Sequence, residues 1–303
     1  MTAIEIHELT KRYGTTTALD ALTLSVADGE VYGFLGPNGA GKSTTIDVLM
    51  DFVRPTSGDV RVLGFDPRDD VVEVHRRVGI LPDRFQVYDR LTGRAHLEYV
   101  IDSKSADDDP ATLLERVGLA DAGDQRASDY SRGMQQRLAL AMALVGEPDL
   151  LILDEPFSGL DPHGARRIRE IVYEENERGA TVFFSSHVLG QVEFVCDRIG
   201  ILDEGRLLAE GTIDGLRERA GVQSTLRFPL SPTEIDDSRL DRLAEIDGVT
   251  AVDSARDQIS VRTDSPEARL PVVQHLASSS DVDRFSIREP SVEDIFVSYT
   301  DAQ

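Results

Sequence analysis

A glycine-rich segment close to the N-terminus carries residue types that bind phosphate. Residues 36–43 read GPNGAGKS, match the pattern G-x-x-x-x-G-K-[ST] and are followed by a threonine. In this pattern the backbone N–H groups turn toward an anion, the lysine reaches the outer phosphates of a nucleoside triphosphate, and the serine hydroxyl ligates Mg²⁺. The predicted nucleotide-binding residues of this phosphate loop are Gly36, Pro37, Asn38, Gly39, Ala40, Gly41, Lys42, Ser43 and Thr44.

An apolar run that ends in two carboxylates supplies the complementary chemistry. Residues 150–155 read LLILDE, the pattern of a buried central strand that delivers acidic residues to its carboxyl end. Asp154 can take part in the Mg²⁺ shell, and Glu155 can orient or deprotonate an attacking water. A strand that ends in a solvated acidic turn would have the same sequence pattern. Beside a phosphate loop, however, the pair predicts a P-loop nucleoside triphosphatase.

A third segment resembles the signature motif of the ATP-binding-cassette (ABC) ATPases. Residues 130–137 read YSRGMQQR and place Ser131 and Gly133 at the serine and the second glycine of that motif. Arg132 and Met134 depart from its commonest form. The version S-R-G-M-x-Q-R nevertheless resembles a subgroup that is paired with ABC-2-type export permeases.

Three more positions match the same family. Residues 158–162 (SGLDP) are similar to its D-loop and contribute Asp161, and His187 follows a strand as the family's switch histidine does. Tyr13 occupies the place of an aromatic residue that stacks on adenine, with packing in a β-hairpin as the alternative. The resemblance covers roughly residues 1–220.

The resemblance implies a mechanism that needs two chains. In this family two nucleotide-binding domains pair head to tail, so that Ser131 and Gly133 of one chain bind the γ-phosphate held by Lys42 of the other. His187 contacts the γ-phosphate and positions the attacking water together with Glu155. We therefore expect ATP and Mg²⁺ as cofactors, Lys42, Glu155 and His187 as catalytic residues, and a second, identical nucleotide-binding subunit as partner.

One position departs from the family pattern. The family usually has a glutamine after a strand, where the catalytic core joins the helical subdomain, whereas this chain has Asp83 after GILP and Gln86 three residues later. A carboxylate can still coordinate Mg²⁺-bound water as an oxygen ligand, although it lacks the donor of the amide. The predicted metal site is therefore Ser43, Asp83 and Asp154.

Alternating apolar strands and helical patterns must position these residues. Their order predicts an α/β fold around a largely parallel sheet, a P-loop NTPase cassette with a helical signature subdomain at about residues 88–145. The predicted strands are Glu30–Leu35, Leu150–Leu153, Thr181–Ser185 and Arg198–Leu202, the predicted helices include Lys42–Phe52 and Gly164–Arg178, and Asp102–Pro110 is predicted to be a surface loop.

The composition changes at Gly221–Ser231, which divides the chain into a nucleotide-binding domain, residues 1–220, and an accessory domain, residues 221–303. The second part predicts a small α+β domain. Its predicted strands are Ile259–Val261 and Arg284–Ile287, and its predicted helices are Pro266–Ala277 and Val292–Tyr299. Residues 289–296 (EPSVEDIF) resemble the closing segment of ABC-2-type cassettes, and they also predict a helix capped by Ser291 and Asp294.

The charge balance excludes several classes of ligand. The 303 residues include 32 basic and 55 acidic side chains, a formal net charge of -23, which disfavours nucleic acid and anionic lipid surfaces as direct ligands. Acidic residues are spread over both predicted domains, and all but three of the basic residues are arginine, which favours adaptation to a salt-rich cytoplasm. A single cysteine, Cys196, and the lack of a signal peptide or an apolar span predict a cytosolic protein.

The predicted function is the ATP-hydrolysing subunit of an ABC transporter. It would lie on the cytoplasmic face of the cell membrane, attached through a separate integral membrane permease that contacts the helical subdomain. The chain also resembles ATPases associated with copper handling during nitrous-oxide reductase maturation, but its histidines and its cysteine form no metal-ligand cluster in the sequence, so no bound transition metal is predicted.

The rival class is a soluble ABC ATPase that acts on DNA or ribosomes. DNA-repair relatives insert a long coiled coil between the phosphate loop and the signature, whereas only 87 residues separate Thr44 from Arg132 here, without sustained heptads. Translation-type relatives carry two cassettes, and this chain has one. A non-catalytic regulatory cassette is disfavoured by the presence of Lys42, Glu155 and His187.

Overall fold

The computed structural model describes residues 2–83, 85–188, 190, 193, 195–229, 237–255, 258–265, 267–277 and 284–300. The chain forms two compact units, Met1–Ile213 and Asp214–Gln303. The elements of the first unit are β1 (Thr2–Tyr13), β2 (Thr16–Ala27), β3 (Val31–Leu35), α1 (Lys42–Leu49), β4 (Ser57–Val62), α2 (Val71–Arg77), β5 (Val78–Leu81), α3 (Gly93–Lys104), α4 (Pro110–Arg116), α5 (Arg132–Ala143), β6 (Leu150–Asp154), α6 (Pro162–Glu177), β7 (Thr181–Ser186), β8 (Arg198–Asp203) and β9 (Arg206–Gly211). They are followed by α7 (Ile213–Ala220), β10 (Ser224–Phe228), α8 (Asp237–Ala244), β11 (Val249–Ala255), β12 (Gln258–Thr263), α9 (Arg269–Ala277), β13 (Ser286–Arg288) and α10 (Val292–Thr300).

A six-stranded sheet in the first unit positions the predicted site residues. Its strand order is β5-β6-β7-β3-β8-β9, and all neighbouring pairs are parallel except β8 with β9. Every residue of β3, β6 and β7 is buried, as expected for continuous apolar strands in a parallel sheet. The α/β class is therefore confirmed. Because parallel strands end at the same edge, the residues that follow β3, β6 and β7 lie close together.

Helices α1 and α6 differ from their predicted bounds, and α6 ends at Glu177, one residue before the predicted Arg178. Helix α1 ends at Leu49 rather than Phe52, because the chain turns there and Asp51 adopts φ +51°. Helix α6 begins at Pro162, two residues earlier than predicted, because Asp161 caps it and proline suits the first helical position.

A second, antiparallel sheet in the first unit was not predicted. Its strand order is β2-β1-β4. In β1 the buried Ile4 and Ile6 alternate with the exposed Glu5 and His7, which is the period-two pattern of a strand with one face in the core. Its apolar side chains share one core with those of the six-stranded sheet, so the two sheets together support the phosphate loop.

The predicted helical subdomain contains α3, α4 and α5. The predicted loop Asp102–Pro110 was wrong at both ends: residues up to Lys104 belong to α3, which ends where Ser105 adopts φ +53°, and Pro110 begins α4. The Lys104 ammonium group donates to two backbone oxygens, those of Val78 and Val145, at 3.0 and 3.1 Å, and so ties the end of α3 to the sheet. Within the described parts of the chain, no helix has the length and the apolar character needed to cross a bilayer.

The second unit has the strand order β11-β12-β10-β13, and each neighbouring pair is antiparallel. Strands and helices follow each other as β10-α8-β11-β12-α9-β13, the split βαβ arrangement of ferredoxin-like domains. The predicted α+β class agrees with this topology, which the sequence analysis did not specify. The apolar core consists of Leu226, Phe228, Leu243, Ile259, Val261, Val272 and Leu276.

The four predicted elements of the second unit correspond to β12, β13, α9 and α10, and their ends differ from the predicted bounds by up to three residues. The division at residues 213 and 214 comes before the predicted boundary, because most of α7 belongs to this unit, where Arg217 Nε donates to the backbone oxygen of Pro290 at 2.9 Å. The predicted domain change at Gly221–Ser231 contains β10, and its last two residues, like Pro266, lie outside the described residues.

Candidate nucleotide-binding site

The phosphate loop needs glycine at two of its positions. A Cβ atom on Gly36 would collide with the backbone oxygen of Leu202, and one on Gly41 would lie 2.6 Å from that of Ala18. Gly41 also has φ +111°, a conformation that L side chains rarely adopt. The two glycines let the loop pack closely on its neighbours, while residues 37–39 stay exposed at its tip.

Lys42 begins α1 and folds back over the loop. Its ammonium group donates to the backbone oxygens of Gly36 at 2.7 Å and Pro37 at 3.1 Å, and it lies 3.5 Å from a carboxylate oxygen of Glu155. Only 5% of Lys42 is exposed, so its charge is held on the inner side of the loop. Together with the N-terminal N–H groups of α1, this lysine makes the loop attractive to an anion.

Asp154, at the end of β6, is a buried carboxylate that two hydroxyl groups contact. It accepts hydrogen bonds from Ser185 and from Ser43. Burial raises the pKa of Asp154 above its ordinary value, the two hydroxyl groups oppose this change, and the nearby carboxylates of Asp83 and Glu155 add to it. The three predicted metal ligands, Ser43, Asp83 and Asp154, are thus neighbours in the structure.

The donor set around Asp154 suits Mg²⁺. This cation prefers oxygen ligands and is usually held by one or two carboxylates together with substrate phosphates. Ser43 and Asp154 offer a hydroxyl and a carboxylate in direct contact, and the exposed Asp83 adds a second carboxylate. Because the charge of Asp83 disfavours the ionised form of Asp154, a divalent cation between the two carboxylates would relieve this repulsion.

Glu155 lies between Lys42 and His187. One of its carboxylate oxygens is 3.5 Å from Lys42 Nζ and the other is 2.8 Å from His187 Nδ1. Its backbone has φ +52°, and its N–H donates to the backbone oxygen of Ser185 at 3.3 Å and to the hydroxyl of that residue at 3.1 Å. The three residues predicted to be catalytic are therefore brought together at one edge of the sheet.

The signature residues lie in a different environment from the phosphate loop. Ser131 caps α5 by accepting from the N–H of Met134 at 3.3 Å, and a Cβ on Gly133 would lie 3.4 Å from a methyl carbon of Leu160. Ser131 is exposed and Gly133 half-buried. In the described parts of the chain, no hydrogen bond or ion pair joins either residue to residues 36–44.

The two remaining predicted residues have identifiable local contacts. Asp161 caps α6, because its carboxylate accepts from the N–H of Gly164 at 2.7 Å. Tyr13, at the end of β1, is 48% exposed, and the Lys11 ammonium group lies 4.7 Å from the centre of its ring. An exposed aromatic face is therefore present at the position predicted to stack on adenine.

Sequence reasoning did not assign a role to two further residues of the site. Ser185 contacts both Asp154 and Glu155, and its signal was its place two residues before His187 on the neighbouring strand. Asp47 follows Ser43 by one helical turn; burial and the charge of Asp154 raise its pKa above the ordinary value. Helical spacing from the phosphate loop could have identified it.

Comparison with known proteins agrees with this geometry. A family model described as ABC transporter matches residues 19–158, and one described as ATP-binding protein DrrA1-3-like, C-terminal domain, matches residues 211–300. The daunorubicin/doxorubicin resistance ATP-binding protein DrrA of Streptomyces peucetius is 36% identical over 306 residues, which cover 98% of this chain and 92% of that protein. The bacitracin transport ATP-binding protein BcrA of Bacillus licheniformis is 40% identical over 236 residues, which cover 76% of each protein.

Solved structures lead to the same family. One described as the ATP-binding subunit of an ABC transporter has a TM-score of 0.68 and 31% identity, and the match covers 73% of this chain and 94% of that one. The predicted transport-type ATPase is thus confirmed and favoured over a soluble ATPase of DNA or ribosomes. Since identity extends along almost the whole chain, the protein belongs to the ABC transporter ATP-binding proteins, of the type that includes DrrA and BcrA.

Proposed function

We propose that the chain powers the export of an antibiotic or a similar organic compound. Two copies would close over two ATP molecules and drive a separate membrane permease. Support for this substrate class comes from the relatives, whose names concern daunorubicin, doxorubicin and bacitracin. Because those names concern antibiotics, we favour this class over the copper-handling role considered from the sequence.

The proposed ATP hydrolysis rests on the placement of Glu155 between Lys42 and His187, at the edge of the six-stranded sheet that also holds the phosphate loop. In this arrangement Lys42 binds the outer phosphates of ATP, and Glu155 accepts the proton of the attacking water or orients that water. His187 holds the Glu155 carboxylate from the opposite side to Lys42 and contacts the γ-phosphate. Tyr13 would stack on the adenine.

The metal site would be formed by Ser43, Asp83 and Asp154. Bound Mg²⁺ would neutralise charge on the phosphates. The chain contributes the hydroxyl group and the two carboxylates that hold it, and Ser185 keeps the Asp154 carboxylate oriented. Aspartate at position 83, where the family usually has glutamine, would serve through its oxygen atoms.

The dimer follows from the separation of the signature from the phosphate loop. Ser131 is exposed at the N-terminus of α5, where the helix dipole and the first N–H groups favour an anion. Because Ser131 and Gly133 make their contacts away from residues 36–44 of the same chain, they are available to the phosphates held by a second copy. Asp161, which belongs to the D-loop, would lie at the same interface between the two copies.

The permease would dock on a cavity between the sheet and the helical subdomain. This cavity has a volume of about 790 Å³. It is lined in part by Phe52, Val72 and Tyr99, which are more than half exposed although their side chains are apolar or aromatic. Contiguous apolar surface of this kind suits a protein partner. Attachment there would hold the ATPase at the cytoplasmic face of the membrane.

Replacement of the proposed catalytic carboxylate tests the ATPase chemistry. We expect Glu155→Gln to lower kcat for ATP hydrolysis by about 100-fold or more, because the amide cannot accept a proton. The same variant should accumulate an ATP-bound dimer, measured by size-exclusion chromatography with light scattering. Glu177→Gln, an exposed position on α6, serves as the matched control. Near-normal turnover in Glu155→Gln would contradict the assignment.

Export requires a second experiment. The adjacent reading frames would first be searched for an integral membrane protein. The chain would then be co-expressed with that candidate permease in a drug-sensitive host, and resistance to daunorubicin and bacitracin would be measured. Resistance that needs both proteins and disappears with Glu155→Gln would support the proposal. Unchanged sensitivity to both compounds, alongside copper-dependent growth effects, would favour the copper-handling role instead.

A further inference from the structure

The first turn of α5 lies against the segment that follows the proposed catalytic glutamate. Arg132 donates from Nη2 to the hydroxyl group of Ser158 at 3.3 Å. A Cβ atom on Gly159 would lie 2.9–3.2 Å from three atoms of the Arg132 side chain, Nε among them. The guanidinium end of Arg132 therefore rests directly on the Gly159 backbone.

That segment is fixed to Glu155 by a short turn. The N–H of Ser158 donates to the backbone oxygen of Glu155 at 3.0 Å. Phe157, only 5% exposed, meets the ring of Phe184 in an edge-on contact with centroids 6.0 Å apart. Ser158 is therefore bonded directly to the backbone of Glu155, whose φ of +52° is a conformation that needs support from its surroundings.

We infer that Arg132 is a positioning residue that couples the signature end of α5 to Glu155 of the same chain. The inference rests on the proposed function, in which Ser131 and Gly133 bind the ATP of the second copy while Glu155 acts on the ATP of its own chain. Arg132, next to Ser131, contacts Ser158 and Gly159 in the segment that follows Glu155. Through Arg132, closure of one ATP site adjusts the position of the Glu155 carboxylate at the other ATP site.

The chemistry of the contact favours arginine over lysine. A planar guanidinium group can lie flat on the Gly159 backbone and still donate toward Ser158, whereas an ammonium group is compact and lacks the rigid fork. The glycine at position 159, with φ +71°, leaves the room that the guanidinium group fills. Lysine at position 132 should therefore restore only part of the effect.

Hydrogen exchange tests the coupling without ATP hydrolysis. In the full chain, Arg132→Ala should raise amide exchange about fivefold or more in peptides covering residues 155–161, with α6 beyond them unchanged. Ser158→Ala should have a similar effect. Arg166→Ala, which removes an exposed arginine on α6, is the matched control. Unchanged exchange in residues 155–161 of Arg132→Ala would overturn the inference, whether or not the proposed export function holds.

Kinetics then separate positioning from direct binding of ATP. We expect Arg132→Ala to lower kcat about tenfold with the KM for ATP changed less than about twofold, because a misplaced carboxylate slows the chemical step. The double variant with Ser158→Ala should lose no more than the worse single variant, since both remove one contact. A raised KM with unchanged kcat would instead make Arg132 a direct ligand of the partner's ATP, and additive effects would show that Arg132 and Ser158 act independently. Either result would overturn the inference. A lack of ATP hydrolysis in the wild type as well as in the variants would count against the proposed function alone.

Discussion

Glu155 is held in a backbone conformation that costs a non-glycine residue about 1–3 kcal/mol. Its φ is +52°, and its N–H is shared between the backbone oxygen and the hydroxyl group of Ser185. That same hydroxyl donates to the Asp154 carboxylate. One serine thus fixes the backbone of the proposed catalytic residue and the orientation of the proposed metal ligand.

Removal of the Ser185 hydroxyl group should affect both the stability of the fold and the binding of Mg²⁺. In Ser185→Ala the buried Asp154 carboxylate loses one of its two hydroxyl donors, which costs about 1–3 kcal/mol of stability. The Mg²⁺ concentration needed for half-maximal ATPase activity should rise about tenfold. The check is a Mg²⁺ titration at saturating ATP, together with a thermal melt. Ser25→Ala, at an exposed position on β2, should match wild type in both, and an unchanged titration curve in Ser185→Ala would argue against this role.

Among the elements, those with local chemical signals were the most predictable. The strands that flank the phosphate loop were recognised because they are continuous apolar runs, and the helix capped by Ser291 was recognised because its spacing matches a capping box. Strand β1 was not predicted because its alternation is interrupted: His7 and Glu8 are both exposed, and Glu8 adopts φ +46° at an irregularity in the pairing with β2. The clustering of Ser43, Asp83 and Asp154 was expected from the motifs that these residues match, whereas the contact of Arg132 with Ser158 depends on packing between α5 and the D-loop, which spacing does not reveal.

The capping box of α10 gives a prediction at this scale. The hydroxyl of Ser291 accepts from the N–H of Asp294 at 3.2 Å, and the Asp294 carboxylate accepts from the N–H of Ser291 at 2.8 Å. Ser291→Ala should reduce the protection of amides in α10 about fivefold in hydrogen exchange, since such caps contribute about 1 kcal/mol. Ser291→Thr keeps the hydroxyl and should retain protection. Equal protection in both variants would show that the cap does not stabilise α10.

The pH dependence of this cap has a defined sign. Burial would raise the pKa of Asp294, but the N–H and hydroxyl groups of Ser291 and the charge of Arg288 hold it below its ordinary value. A carboxyl group with a lowered pKa in the folded state stabilises at pH values above its unfolded pKa, and this contribution is lost as the pH falls through the folded pKa. The decrease in the free energy of unfolding caused by Asp294→Ala should therefore be the same at pH 6 and pH 8, where the carboxylate is ionised.

For the whole molecule, the net charge of -23 is the dominant feature. Many arginines pair with carboxylates, for example Arg198 with Glu30 and Glu210 at 2.9 and 2.7 Å, yet the excess of acidic groups leaves net repulsion. Salt weakens attraction and repulsion alike, and with this imbalance the loss of repulsion should be the larger effect.

Stability should therefore rise with salt. We expect the midpoint of urea unfolding to increase steadily as KCl is raised from about 0.1 to 1 M, over which the Debye length falls from about 10 to 3 Å. Sorbitol at matched osmolality is the control for effects that do not depend on charge. A midpoint that is constant or falls with KCl would contradict both this prediction and the adaptation to a salt-rich cytoplasm inferred from the sequence.

The strand order of the second unit has a consequence for protein synthesis. Strand β10 pairs with β12 on one side and with β13 on the other. The first strand of the unit in the sequence is therefore fully paired only after the last strand, β13, has been made. A ribosome must have released residues beyond Arg288 before that sheet is complete, whereas every strand of the six-stranded sheet has been made by Gly211. The ATP-binding unit can thus assemble while its companion is still being translated, and a premature stop ahead of β13 would leave β10 as an unprotected sheet edge.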